Sequence, residues 1–291
     1  MSKTAASQAD INSLFQGAKA DQGLSPQSIT ALQVDDLGSS IQAALGVPAD
    51  QVTASSVTLV QGLVDDSSSI RFAGNSQVVR DGQNLVKEAL KGTKARDGVL
   101  MGIRFLNKGV LSGFQALEQV PDLDNHNYDP SGGTPLYRET VATLKGVVLK
   151  TQEFSENGVP VRSITYIVTD GHDESDGSVQ AKEVKPVVLD LLKSEQHVVC
   201  GIGIDDRDPN SSYGGTDFRK VFGDMGIPDE WIIDIKCPPE PGEDESKRQA
   251  RLRHMVRKAF QTVSQSAVKC SQNAASFSKA ALGGFAAAGQ P

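Results

Sequence analysis

The stretch Val57-Thr58-Leu59-Val60-Gln61-Gly62-Leu63-Val64 runs directly into Asp65-Asp66-Ser67-Ser68-Ser69. Its first eight residues are mostly apolar and rich in β-branched side chains, which predicts a buried strand. Asp65, Ser67 and Ser69 follow at i, i+2 and i+4, and a tight loop could turn their oxygens toward one point. Mg²⁺ takes six oxygen ligands at about 2.1 Å in near-octahedral geometry. Two interpretations therefore stay open for this stretch: a cation loop, or a serine-rich turn in which Asp65 caps a helix.

The composition limits the class of protein. The chain has 291 residues and a net charge of −7, which argues against binding to nucleic acid or to an anionic membrane surface. No apolar run reaches the ~18 residues needed to span a bilayer, and the first residues lack a signal-peptide core. Three cysteines without a CxxC pair fit a reducing compartment. We therefore expect a cytoplasmic protein.

The chain divides into three predicted segments. Residues 1–51 are polar, rich in Ala, Ser and Gln, and partly helical; they contain too few apolar residues for a core of their own. We expect this extension to pack on the main domain or to stay mobile. Residues 52–270 form the main domain. Residues 271–291 shift to Ala, Gly, Ser and Gln, which predicts a flexible tail.

The main domain alternates strands with helices, which is typical of a mostly parallel sheet covered on both faces. The Asn107-Lys108-Gly109 turn makes the third strand return antiparallel to the second. The predicted fold is α/β, a Rossmann-like doubly wound sheet of order 3-2-1-4-5-6 with one antiparallel edge strand. Strands are predicted at 57–64, 99–106, 110–116, 161–168, 198–204 and 231–235, and helices at 75–91, 134–154, 183–193 and 218–225, with a long one after the prolines at 238–241.

This strand order brings distant polar residues together. Strands one and four are neighbours in it, and ligands of such sheets bind beyond the carboxyl ends of the strands where the order reverses. Five residues should converge there, and we call them the candidate metal centre: Asp65, Ser67, Ser69, Thr134 and Asp170. Two carboxylates and three hydroxyls suit Mg²⁺ first, with Mn²⁺ and Ca²⁺ as alternatives, while the lack of Cys and His disfavours zinc.

The chain resembles a von Willebrand factor A (VWA) domain with a metal-ion-dependent adhesion site (MIDAS), of the cytosolic microbial type. The motifs that carry the resemblance are Asp65-Asp66-Ser67-Ser68-Ser69, Gly133-Thr134-Pro135-Leu136 and Thr169-Asp170-Gly171. Their order and strand contexts match, and the resemblance covers residues 52–268. It implies that the serines and the threonine bind the metal directly, that the aspartates act through water, and that a partner's carboxylate completes the shell.

Other motifs favour plainer interpretations. Gly201-Ile202-Gly203 lacks the third glycine of a dinucleotide loop, since Asp206 stands there. Asp206, Asp208 and Asn210 in the same region have the spacing that begins an EF-hand calcium loop. The turn glycine of that loop is missing, and Asp217 stands where a Glu is expected, so a polar loop is favoured. The basic residues of the last helix predict a solvated face.

Three functional hypotheses remain open. The first is a binding module without catalytic residues, in which the metal bridges to an Asp or Glu of a partner protein, and the loops 118–133, 171–178 and 205–217 set specificity. The resemblance implies a MoxR-type AAA+ ATPase as one such partner. The second is a metal-dependent hydrolase of phosphate esters, whose general base would be Asp66, His172 or Asp173. The third is a purely structural metal site.

Overall fold

A computed structural model describes residues 7–33, 38–174, 177–207 and 215–272 of the chain. Within these residues the main chain forms six strands and nine α-helices. The strands are β1 Val57–Val64, β2 Val99–Phe105, β3 Gly109–Ala116, β4 Val161–Thr169, β5 His197–Asp205 and β6 Ile232–Lys236; the helices are α1 Gln8–Asp21, α2 Pro26–Gln33, α3 Gly38–Leu45, α4 Ser68–Phe72, α5 Ser76–Lys91, α6 Leu136–Glu156, α7 Ala181–Lys193, α8 Phe218–Asp224 and α9 Glu245–Gln272.

The strands form one sheet of order β3-β2-β1-β4-β5-β6. Every neighbouring pair is parallel except β2 and β3, which are antiparallel. β1, β2 and β5 are buried along their whole length, because parallel strands are covered on both faces. The predicted fold class and strand order are confirmed.

Helices cover both faces of this sheet. Successive residues of a strand point to opposite faces. On one face, Tyr166 of β4 donates a hydrogen bond of 2.6 Å to Gln83 of α5, and α5 packs against α9. On the opposite face, Leu59 of β1 shares an apolar cluster with Phe154 of α6. The longest helices therefore flank β1 and β4, the two central strands.

The N-terminal helices pack on the main domain. Helix α1 lies against α6, α2 against α7, and α3 against both α6 and the edge strand β3. The amide of Val47 donates to the carbonyl of Phe114 at 2.8 Å. A side chain at Gly113 would collide with the backbone of Ala43, so glycine is needed for this close approach. The segment thus covers part of a sheet edge that would otherwise be open to pairing with other chains.

Two local features differ from the sequence prediction. Helix α7 begins at Ala181, two residues before the predicted start at 183, and continues through Pro186. The proline lies in the second turn, so its missing N–H removes a single bond near the helix start. The short helix α4 had no periodic apolar signal because it spans only five residues. Most of the predicted tail, and Asp208 and Asn210 of the calcium-loop spacing, lie outside the described residues.

The three cysteines of the chain lie in the interior of the domain. Cys200, Cys237 and Cys270 are all buried thiols. Burial raises the pKa of Cys270 to about 12, which makes its thiol a poor nucleophile at neutral pH. No helix in the described part of the chain is long and apolar enough to cross a membrane.

A buried histidine predicts acid sensitivity. His197 lies beside Ser163 in the sheet, with its Nδ1 at 2.7 Å from the serine hydroxyl, and burial lowers its pKa from 6.5 to about 4. The unfolded chain therefore binds this proton first as the pH falls, so the stability contributed by neutral His197 is complete above pH 6.5 and is lost toward pH 4. The loss amounts to about 3 kcal/mol.

We expect His197→Gln to flatten this part of the stability curve. Urea unfolding of the wild-type protein and the variant between pH 4 and pH 6.5 measures the free energy of unfolding at each pH. The difference between the two curves gives the contribution of His197. Parallel curves would contradict the prediction.

Candidate metal centre

The carboxyl ends of β1 and β4 bring the first and last motifs together. Val64 is paired with Val168, and the amide of Asp65 donates to the carbonyl of Val168 at 3.0 Å. The Asp65 carboxylate is buried and held at both oxygens. Oδ1 accepts the amide of Ser67 at 2.7 Å, and Oδ2 accepts the hydroxyl of Thr169 at 2.7 Å. Asp65 is therefore fixed at the point where the chain leaves β1.

A line of hydroxyls joins the two strand ends. The Ser69 hydroxyl donates to Asp170 Oδ1 at 2.6 Å and lies 2.9 Å from the Ser67 hydroxyl, which therefore donates to it. Ser67 is the N-cap residue of α4, but its hydroxyl makes no capping bond. The alternative in which Asp65 caps a helix is thus not what the structure shows. The hydroxyls of both serines face Asp170 across the sheet edge.

Thr134 lies against the loop that carries Asp170. It is buried just before α6, and its carbonyl accepts the amide of Glu174 at 2.9 Å. Its hydroxyl oxygen lies 3.6 Å from the position that a Cβ at Gly171 would occupy. The structure therefore brings Thr134 into the same cluster as the aspartate loop. Asp65, Ser67, Thr134 and Asp170 are buried while Ser69 is exposed, so the cluster opens to solvent on the Ser69 side.

The neighbouring Asp66 has a different role. Its Oδ1 accepts the amide of Asn107 at 2.7 Å and the side-chain amide of the same residue at 3.0 Å; Oδ2 accepts the amide of Lys108 at 3.2 Å. The Asn107 side chain also donates to the carbonyl of Gly133 at 2.9 Å. Asp66 thus ties the first motif to the β2–β3 turn, and that turn to the threonine loop.

Tyr128 secures the same loop from the other side. Its hydroxyl donates to the carbonyl of Asp65 at 2.5 Å, and its ring packs on Phe105 with the centroids 5.5 Å apart. Burial and the nearby aspartates Asp65, Asp66 and Asp170 raise the tyrosine pKa, so its hydroxyl stays protonated as a donor. Because Tyr128 lies in the long loop before the threonine motif, no short sequence signal identified it.

The other two residues considered as bases, Asp173 and His172, lie in the loop that follows β4. Asp173 Oδ1 accepts the amide of Tyr137 at 3.0 Å and so holds the first turn of α6. His172 is exposed in the same loop.

Thr169 belongs to the third motif but was not predicted as a site residue, and its hydroxyl holds Asp65 in place. The sequence signal that could have identified Thr169 is its position directly before Asp170.

The electrostatics of the cluster favour a bound cation. Burial raises the pKa of Asp65. Burial, with the charge of Asp65 as the next cause, raises the pKa of Asp170 to about 7, although the bond from Ser69 and the charge of Arg207 act in the opposite direction. Two buried carboxylates at one point disfavour each other's ionisation, and a divalent cation between them would remove the penalty.

The donor set also suits a hard cation. No group of three or more His, Cys, Asp or Glu side chains in the described ranges could hold a metal by itself. A metal at this point would therefore depend on the hydroxyls of the two serines and Thr134 together with the two aspartates. Neutral oxygens and carboxylates suit Mg²⁺, Mn²⁺ and Ca²⁺ better than zinc, whose preferred ligands include Cys and His. The residues present fit such an ion.

The glycine motif of β5 has a packing role. Gly201 and Gly203 lie inside the strand, and a Cβ at Gly201 would come within 2.6 Å of the Phe222 ring. A Cβ at Gly203 would collide with Phe218. These glycines let α8 lie close against the sheet. That close packing explains the pattern without a dinucleotide.

Comparisons with known proteins give matches in structure only. No protein-family model and no curated protein matches the sequence. Proximal thread matrix protein 1 from the mussel byssus is 18% identical with a TM-score of 0.40, and the match covers 69% of this chain and 47% of that one. A von Willebrand factor type A protein from Catenulispora acidiphila is 14% identical with a TM-score of 0.34, covering 71% and 43%. The manganese-loaded TRAP protein of Plasmodium vivax is 19% identical with a TM-score of 0.41, covering 72% and 75%.

The chain spans less than half the length of the first two of these structures. The fold of this chain is defined by its sheet order, and the candidate metal centre by the contacts of its own residues.

Proposed function

We propose that this chain is a metal-dependent protein-interaction module. In this proposal Asp65, Ser67, Ser69, Thr134 and Asp170 hold a divalent cation, Mg²⁺ in the first place, and the cation binds an Asp or Glu of a partner protein. The observation that carries the proposal is the pair of buried aspartates at two adjacent strand ends, joined through the hydroxyls of Ser67 and Ser69.

The chemistry of the cluster supports binding rather than hydrolysis. A bound cation would supply positive charge for an incoming carboxylate, because three of its five protein ligands are neutral. A hydrolase would also need a general base within hydrogen-bond reach of an attacking water. Asp66 and Asp173 instead hold the backbone of neighbouring loops. We therefore propose that the chain is not an enzyme, with phosphate-ester hydrolysis as the alternative.

Removal of the Thr134 hydroxyl tests the metal centre. We expect Mg²⁺ at 100-fold above its Kd to stabilise the metal-stripped protein by about 2.7 kcal/mol, equivalent to a melting temperature roughly 5–10 °C higher. Thr134→Val, which keeps the shape but lacks the oxygen, should lose this shift. Thr134→Ser, which restores a hydroxyl, should keep it.

Thermal unfolding with Mg²⁺, Mn²⁺, Ca²⁺ or Zn²⁺ in turn then ranks the metals. An unshifted wild-type protein in every metal would refute the metal centre. An equal shift of the melting temperature in Thr134→Val would show that Thr134 is not a ligand of the metal.

The identity of the partner is a separate proposal. The family resemblance makes a MoxR-type AAA+ ATPase the first candidate, acting with this chain in an assembly or stress system, and the cytoplasm the expected compartment. Purification of the tagged chain with Mg²⁺ or with EDTA, followed by identification of the retained proteins, tests it. We expect the ATPase only with Mg²⁺ and only with the wild-type protein, and not with Thr134→Val. Retention in EDTA would argue against a bridging metal.

A further inference from the structure

The most exposed large apolar side chain stands beside the candidate metal centre. Among the described residues, Phe72 has 78% of its surface exposed, and the next such side chain, Leu189, has 47%. Phe72 and Ser69 are three residues apart in α4. Residues at this spacing lie on the same helix face, with their Cβ atoms about 5–6 Å apart. The phenyl ring therefore borders the open, Ser69 side of the centre.

A cation accompanies this ring. The guanidinium carbon of Arg71 lies 5.3 Å from the centroid of Phe72, a cation–π arrangement at the surface. Both side chains are exposed, and no carboxylate forms an ion pair with Arg71 among the residues that the structure covers. An apolar surface next to a positive charge is complementary to an acidic segment that also carries an apolar side chain.

The backbone beneath the ring is held in place. Gln249 of α9 donates to the carbonyl of Ala73 at 3.2 Å, and the amide of Asn75 donates to the carbonyl of Ile70 at 2.9 Å. Behind Ala73 a depression of about 400 Å³ extends to Asp206, Arg207 and Arg248. A fixed backbone lowers the entropic cost of presenting Phe72 to a partner.

We propose that Phe72 determines which acidic segment this site accepts. The inference rests on the proposed function and adds the chemistry of the partner: an extended segment with an Asp or Glu for the metal and an apolar side chain two residues away that packs on Phe72. In an extended chain, residues i and i+2 are on the same face and about 6.6 Å apart. That spacing is comparable to the separation of about 5–6 Å between the Cβ atoms of Ser69 and Phe72 on α4.

Synthetic peptides test this specificity. The probes are fluorescent hexapeptides with an Asp-Gly-Phe or an Asp-Gly-Ser centre, titrated with Mg²⁺-loaded protein and followed by anisotropy. We expect the phenylalanine peptide to bind the wild-type protein at least five-fold more tightly. Phe72→Ser should bind both peptides equally, and Phe72→Tyr, which keeps the ring, should retain the preference. All three proteins should show the same Mg²⁺-induced shift in melting temperature, because Phe72 is not a ligand.

The possible outcomes separate this inference from the proposed function. Equal affinity for the two peptides, a preference that survives in Phe72→Ser, or no binding by a protein that shows the metal shift would each overturn the role of Phe72 and leave the metal centre standing. A wild-type dimer in sedimentation that Phe72→Ser converts to a monomer would also overturn it, since the ring would then face a second copy. Loss of the metal shift in the wild-type protein would instead overturn the proposed function itself.

Discussion

Asp170→Asn is expected to raise the melting temperature of the metal-free protein by several degrees and to abolish its response to Mg²⁺. The substitution removes one of two buried negative charges, so the repulsion from Asp65 disappears. The asparagine keeps an oxygen that can accept the hydrogen bond now made by Ser69 at 2.6 Å. The same substitution removes a carboxylate from the proposed cation. The variant should therefore be more stable than the wild-type protein in EDTA and less responsive in Mg²⁺.

The pH dependence gives this prediction a second readout. The folded-state pKa of Asp170, about 7, lies above its ordinary value of 3.8. Between these values the folded, metal-free protein binds more protons than the unfolded chain, so its stability falls as the pH rises. Asp170→Asn should remove much of this fall. Urea unfolding in EDTA across this pH range measures the slope.

A surface aspartate provides the matched control. Asp97 has 93% of its side chain exposed, so Asp97→Asn changes the net charge equally without altering a buried pair. It should change neither the pH slope nor the Mg²⁺ response. If Asp170→Asn behaved like Asp97→Asn in both measurements, the two aspartates at the strand ends would not form a coupled, cation-binding pair.

Glu139→Ala is expected to destabilise the fold by about 3–5 kcal/mol, because it leaves a buried guanidinium without its counter-charge. Arg104 of β2 donates from Nε to Glu139 Oε2 at 2.8 Å, and its Nη2 lies 2.6 Å from the same oxygen. Both side chains are buried. Among the residues that the structure describes, Arg104 also donates from Nη1 to the hydroxyl of Ser40 in α3 at 2.8 Å, and this neutral group cannot replace the carboxylate.

The double variant Arg104→Met with Glu139→Leu is the control for this pair. Replacing both charges by apolar side chains of similar size removes the desolvation penalty together with the attraction, so the change in stability should be small. Chemical unfolding measures the free energy of unfolding of the wild-type protein, Glu139→Ala and the double variant. If Glu139→Ala were as stable as the double variant, Arg104 and Glu139 would not behave as a buried ion pair.

This ion pair also links the N-terminal segment to the candidate metal centre. Glu139 lies in the first turn of α6, where its amide donates to the carbonyl of Pro135 at 3.1 Å, directly after Thr134. Ser40 contacts the same guanidinium from α3. Disruption of the pair should therefore also weaken the Mg²⁺ response of the surviving folded protein, which thermal unfolding would detect. Thr134→Val, by contrast, should leave the stability of the metal-free protein nearly unchanged.

Local pattern was enough to locate most elements of the main domain. The strand that ends at Val64 was predicted with its observed bounds, because an uninterrupted apolar run followed by a polar loop leaves few alternatives. Alternation of strands and helices then gave the parallel sheet. The short helix α4 escaped prediction because five residues cannot show a helical period. Helix α7 begins two residues before its predicted start, because a proline early in a helix removes only one backbone bond.

The sequence by itself determined the sheet, its order and the five residues proposed as a metal centre, because each motif directly follows a strand or heads a helix whose position the strand order sets. Tertiary structure alone decided what surrounds them. It assigned Asp66 to the β2–β3 turn, brought Tyr128 to the carbonyl of Asp65, and left Phe72 exposed beside Ser69. These contacts join residues far apart in the chain or depend on which face of a short helix meets solvent, and no local periodicity carries that information.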